Sequence, residues 1–166
     1  MSQLPLDIQT RVYIDFLFEP FVTNFAWKGN FFKLEKKHNI NGEMVVKKGQ
    51  PFYSFEDQIF RDFMMGVMMM LEPRTEPRDT IIYRSIEVVD EMFFIMNGNI
   101  DIGFEISRNA RYCIRLDKMN VIGVWNITFD KKTNFIYRVY DRLEAFTVRK
   151  IPWRHHLENP DFSSIA

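Results

Sequence analysis

Three histidines, one cysteine and two pairs of adjacent carboxylates are the side chains from which this 166-residue chain would have to build a catalytic or metal site. His155 and His156 are neighbours, and on a helix their imidazoles project about 100° apart, so they cannot share one ion and read as solvated side chains. A metal enzyme on a small β-barrel needs histidines on its strands, yet the only other histidine is His38, before the strand-forming part begins. Cys113 stands alone, which excludes an internal disulfide, and in RYCIRL it alternates with its neighbours like a core or face residue rather than a nucleophile. Glu56-Asp57 and Asp90-Glu91 suit helix capping or solvent. No phosphate loop, nucleophile elbow or dinucleotide fingerprint occurs. The chain therefore offers no catalytic residues and no metal ligands, and the expectation is a non-enzyme.

The totals narrow the classes further. Twenty-two basic and 22 acidic residues leave a formal net charge of zero, so no broad field favours nucleic acid or an anionic membrane. The longest apolar run, FMMGVMMML at 63–71, is half of what a bilayer-spanning helix needs, and no signal pattern opens the chain. These features predict a cytosolic piece with no direct membrane insertion. Seventeen phenylalanines and ten methionines imply a large, soft apolar volume, part of which could face a partner.

Periodicity then supplies the elements. In LPLDIQTRVYIDFLFEPFVTNF, Ile8, Val12, Tyr13, Phe16 and Leu17 mark one helical face, Pro20 ends or kinks it, and a second short helix follows to Phe32. The stretch 33–54 is lysine-rich, with turn signals at Asn41-Gly42 and Gly49-Gln50-Pro51, and reads as a loop or insertion. Phe55, Ile59, Phe63, Val67 and Leu71 lie one turn apart on a helix whose methionines make its end apolar almost all round, and EPRTEPRD breaks it. Beyond Thr80, TIIYRS, EMFFIM, NIDIGFEI, RYCIRL, VIGVWNI, NFIYRVY and RLEAFTV alternate as short strands. Asn97-Gly98 reads as a two-residue type I′ hairpin turn, after which Ile100, Ile102, Phe104 and Ile106 form a dry face and Asn99, Asp101, Gly103 and Glu105 a wet one. RKIPWRHHLENPDF closes with one short helix.

This order, and the wording of LPLDIQTRVYIDFLF, FRDFMMGVMMMLEPRTEPRDTIIYRSIEVVDEMFFIMNGNIDIGFEI, NVIGVWNITFDKKTNFIYR and RKIPWRHHL, resembles the cyclic-nucleotide-binding domain of voltage- and nucleotide-gated cation channels, most closely the ciliate group. The resemblance implies an α+β fold: C-linker-like helices at 1–32, the loop at 33–54, and at 55–166 an eight-stranded antiparallel β-roll, a jelly-roll-like barrel, with flanking helices. It implies a cytoplasmic regulatory domain of a potassium-type channel, whose partners are the rest of the channel and neighbouring subunits. Its candidate ligand is cAMP or cGMP, with no other cofactor.

By the same resemblance the nucleotide pocket maps to Gly123, Val124, Trp125, Asn126, Lys131, Lys132 and Thr133. The family places a Gly-Glu pair at a short turn, the amides facing the cyclic phosphate and the carboxylate accepting from the ribose hydroxyl, while an arginine further on forks onto the phosphate. Here Gly123 is followed by Val124, which has no acceptor, and Lys131, Lys132 and Thr133 stand near the arginine's place. A dry ribose hydroxyl costs roughly 1–3 kcal/mol, and a lysine supplies a point charge without the fork. Together the two changes weaken binding by about 2–5 kcal/mol, a factor of roughly thirty to several thousand. The expectation is a degenerate pocket that binds cyclic nucleotides weakly or not at all, with Trp125 and Tyr137 filling it from within. The alternatives are a working sensor in which Lys131 or Lys132 and the amides after Gly123 hold a phosphate, or a module used only for assembly.

Overall fold

A helix needs a partner for its first open amides, and Asp57 provides one: its Oδ1 accepts from the Phe60 N–H at 2.9 Å, opening helix α1 (Gln58–Met69) as a capping carboxylate does. The computed structural model describes residues 32–38, 44–51, 57–107 and 109–162, with positions 5, 8, 12 and 21 before them. The chain divides into two compact units, 1–64 and 65–166.

In the first unit Ile8, Val12 and Phe21 are helical, while the rest of the two expected N-terminal helices lies outside the described residues. The segment read as a loop instead carries an antiparallel pair, β1 (Phe32–His38) and β2 (Met44–Pro51). Apolar alternation missed it because two strands can satisfy each other's backbone groups without an apolar stripe to announce them. The Asn41-Gly42 turn signal lies outside the described residues.

Among the described residues the second unit holds eight antiparallel strands in two four-stranded sheets. One sheet runs β3 (Glu72–Glu76), β10 (Leu143–Arg149), β5 (Glu91–Asn97), β8 (Val121–Ile122); the other runs β4 (Ile81–Tyr83), β9 (Ile136–Val139), β6 (Ile100–Ile106), β7 (Asn109–Leu116). This is the expected α+β roll, with one correction: the sheets do not close into a barrel. Two of the four edge strands, β4 and β8, are only three and two residues long and too short to carry the ladder round. Tyr83 joins the sheets, packing edge-on against Phe93 at 6.0 Å and Tyr137 at 5.2 Å.

Four local readings change. EPRTE, read only as a helix breaker, forms β3; Pro73 fits because β3 is an edge strand, where a missing N–H costs no ladder bond. VIGVWNI, read as one strand, is the two-residue β8 followed by helix α2 (Val124–Phe129), since Gly123 at φ +82 turns the chain out of the sheet. Asn97-Gly98 does not close a hairpin. Gly98 has the positive φ expected, +89, but β5 and β6 belong to different sheets, and the turn passes the chain from one to the other. Only glycine fits, because a Cβ there would lie 2.2 Å from the Arg142 carbonyl oxygen. The hairpin is one strand later, where Ile106 faces Asn109 across the β6–β7 turn.

The fourth change concerns burial along β6. Ile100 is buried as expected, but so is Asp101, whereas Phe104 and Ile106 are exposed. Asp101 is dry because arginines stand opposite it on both neighbouring strands: Arg115 Nε donates to Oδ1 at 2.7 Å and an Arg138 Nη to Oδ2 at 2.9 Å. Each guanidinium also lies over a tyrosine ring, Arg115 on Tyr140 at 3.2 Å and Arg138 on Tyr112 at 4.1 Å.

On the other sheet four successive residues of β5, Met92 to Ile95, are buried, so both faces of that strand are covered. Helix α2 packs against β5, and helix α3 (Lys150–Leu157) packs against β10 and α2. Buried Trp153 ties the two helices by donating its indole N–H to Thr128 Oγ1 at 2.9 Å. His156 packs against Phe162, with ring centroids 4.9 Å apart.

Candidate functional site

The expected pocket residues form one continuous feature that begins at Gly123. This glycine caps α2 with φ 82 and ψ −12, a left-handed conformation that an L side chain rarely adopts. Space excludes a side chain as well: a Cβ would come within 2.5 Å of Tyr83 Oη and 3.0 Å of the Glu91 carbonyl oxygen. Those two atoms are themselves bonded, Tyr83 Oη donating to Glu91 O at 2.6 Å. Burial first, then the charge of Glu91 and the neighbouring Tyr137, holds the Tyr83 phenol well above its ordinary pKa.

From Gly123, α2 runs six residues with buried Ile127 facing β5 and with Val124 and Trp125 exposed. Asp130 ends it in a second left-handed residue, φ 54, and its amide closes on the Asn126 carbonyl. Asn126 clamps the following turn twice: its carbonyl accepts from the Lys131 N–H at 2.9 Å and its Nδ2 donates to Lys131 O at 3.1 Å. The Asp130 carboxylate pairs with Lys150 and lies 3.8 Å from Arg154, both on α3. The hydrogen bond and charge of Lys150 hold that carboxyl below its usual range.

Lys132 bridges Val88 in the β4–β5 connection, and Thr133 fastens the same loop. Thr133 N–H donates to Glu87 O at 3.1 Å, Thr133 O accepts from Ile86 N–H at 2.7 Å, and the buried hydroxyl bonds both backbone groups of Phe135. Thr133 is thus consumed in holding the turn.

These elements enclose an open cavity of about 630 Å³, within the range that takes a small molecule. Trp125, Asn126, Lys131, Lys132 and Thr133 line it, five of the seven residues expected; Asn134, Phe135 and Tyr137 complete it, while Gly123 and Val124 do not line it. Among the described residues that line it, the formal charges are the two lysine ammoniums. Phe135 and Asn134 escaped the sequence reading because their place in the wall follows from the Thr133 clasp, which leaves no pattern in the chain. Trp125 does not fill the cavity: it is 63% exposed and leans on Phe129 at 4.2 Å. Tyr137 lines it from the wall, its phenol raised by burial against a lowering hydrogen bond from Thr133. Among the described residues no group of three or more His, Cys, Asp or Glu could hold a metal ion, and no helix is long and apolar enough to cross a membrane.

No protein-family model matches the chain, and no curated protein does. Its fold is similar to that of solved structures. The regulatory domain of Toxoplasma gondii PKA with cAMP aligns with a TM-score of 0.55 and 7% identity over 64% of this chain and 40% of that one. Cyclic-AMP-bound PfPKA-R aligns with a TM-score of 0.54 and 10% identity over 63% of this chain and 39% of that one. The chain therefore spans about two fifths of the length of those proteins. At such identities the likeness is one of architecture: the chain shares the β-roll fold of those two cAMP-bound structures.

Proposed function

We propose that this chain is a cyclic-nucleotide-binding-type regulatory domain whose nucleotide pocket is degenerate, and that it serves on the cytoplasmic side of a larger cation channel. The observation that carries the reading is the cavity beside α2, whose lining, among the described residues, includes neither a carboxylate for a ribose hydroxyl nor an arginine for a cyclic phosphate. Val124, next to Gly123, is exposed and has no acceptor to offer. The arginines of β7 and β9 that lie nearest in sequence, Arg115 and Arg138, are engaged with Asp101. On this reading the domain acts through contacts with neighbouring parts of the channel rather than by sensing cAMP or cGMP, and it carries no catalysis.

A second reading, a sensor with a non-standard phosphate site, is favoured by one feature: Lys131 and Lys132 line the same cavity, and no carboxylate is among the described residues that line it. Isothermal titration with cAMP and with cGMP separates the two. No saturable heat below millimolar ligand is expected. Saturable heat at micromolar ligand, abolished by K131A/K132A, establishes the sensor and overturns the degenerate pocket.

A further inference from the structure

We propose that the rim of this cavity is a contact surface for an anionic membrane. Trp125, Phe129 and Phe135 are 63%, 52% and 47% exposed, and Val88, bridged to Lys132, is 49% exposed. Trp125 and Phe135 share the cavity wall with Lys131 and Lys132, and Phe129 is joined to the group by its ring contact with Trp125. Large apolar side chains gathered in water mark an interaction site rather than ordinary surface.

The charges beside them select the partner. Lys131 and Lys132 are exposed, and among the described residues no carboxylate lines the cavity with them. The adjacent acid, Asp130, is already paired with Lys150 and near Arg154, and exposed Glu87 is bonded to the Arg84 N–H at 2.7 Å. Indole and phenyl rings flanked by ammonium groups match the headgroup level of a bilayer, where rings reach the acyl boundary and amines meet lipid phosphates. Single-stranded nucleic acid fits less well, because stacked bases need free ring faces and Trp125 and Phe129 lean on each other at 4.2 Å. With zero net charge the chain has no long-range field, so attachment depends on this patch and on a densely anionic surface. The inference stands whether or not the cavity accepts a nucleotide.

The test is flotation of the full chain with phosphatidylcholine vesicles, with and without phosphatidylserine, alongside an oligouridylate binding assay. Partition onto the phosphatidylserine vesicles alone is expected, with tryptophan emission quenched by brominated acyl chains in the wild type and much less in W125F. Each lysine near an anionic surface contributes about a fivefold factor, so K131A/K132A, with unchanged circular dichroism, should partition roughly 25-fold more weakly. The proposal is overturned by no partition onto phosphatidylserine vesicles, by partition indifferent to K131A/K132A, by quenching that persists in W125F, or by tighter binding to oligouridylate than to vesicles.

Discussion

Replacing Asp101 by asparagine keeps the shape of a side chain that is 3% exposed and removes only its charge. In the native domain both carboxylate oxygens accept from guanidinium donors, at 2.7 and 2.9 Å. Asparagine offers one acceptor, and its amide N–H₂ would point donors at donors. Breaking a buried ion pair by removing one partner costs about 3–5 kcal/mol. The arginine side chains here are 44% and 29% exposed and can turn partly to water, so the value is discounted to about 2 kcal/mol. For a chain of this size that is a fall in Tm of roughly 4–8 °C. The sign of the pH dependence follows from the carboxyl itself. Burial acts to raise its pKa, and the hydrogen bonds and charges of Arg115 and Arg138 together outweigh burial and hold it below the usual carboxylate range. A depressed folded pKa contributes stability that is present above the unfolded value, about 3.9, and lost as pH falls below it. Urea unfolding of wild type and D101N, followed by circular dichroism from pH 7 down to pH 3, should show the full gap at neutral pH and a narrowing gap below about pH 4. Equal midpoints at pH 7, or a gap as wide at pH 3 as at pH 7, would refute the carboxylate as the reason these three strands hold together.

Two further substitutions probe the turn that opens α2. G123A forces a methyl group into a left-handed residue and to within 2.5 Å of Tyr83 Oη, so it should lower stability by about 1–3 kcal/mol in urea melts; an unchanged midpoint would mean that the turn is not strained. Y83F loses the bond to Glu91 O, worth about 1 kcal/mol at neutral pH. Because the folded pKa of Tyr83 is raised, its contribution is complete below about pH 10 and lost as pH climbs beyond that, so wild type should destabilise more steeply than Y83F in alkali; parallel curves would contradict its burial as a neutral phenol.

The chain's own pattern determined which segments seek a core. The three-and-four spacing of Phe63, Val67 and their neighbours marks α1, and short apolar runs mark β5, β9 and β10, each of which buries residues; β7 shows the same apolar texture and buries none, and β6 buries Ile100 but not Phe104 or Ile106. The resemblance, not the residue pattern, singled out Trp125, Asn126, Lys131, Lys132 and Thr133, and these five line one cavity beside α2. Which element meets which emerges only once the chain is folded. Asn97-Gly98 signals a bend, but whether β6 pairs with β5 or crosses to the other sheet depends on the ladders that β7, β8, β9 and β10 occupy. Asp101 looks like a wet residue until Arg115 and Arg138, 14 and 37 residues away, arrive on both sides of it. Phe135 joins the cavity only because Thr133 pins its turn to the β4–β5 connection. Periodicity reports the burial that one segment needs, whereas pairing energy belongs to two segments at once and is written in neither alone.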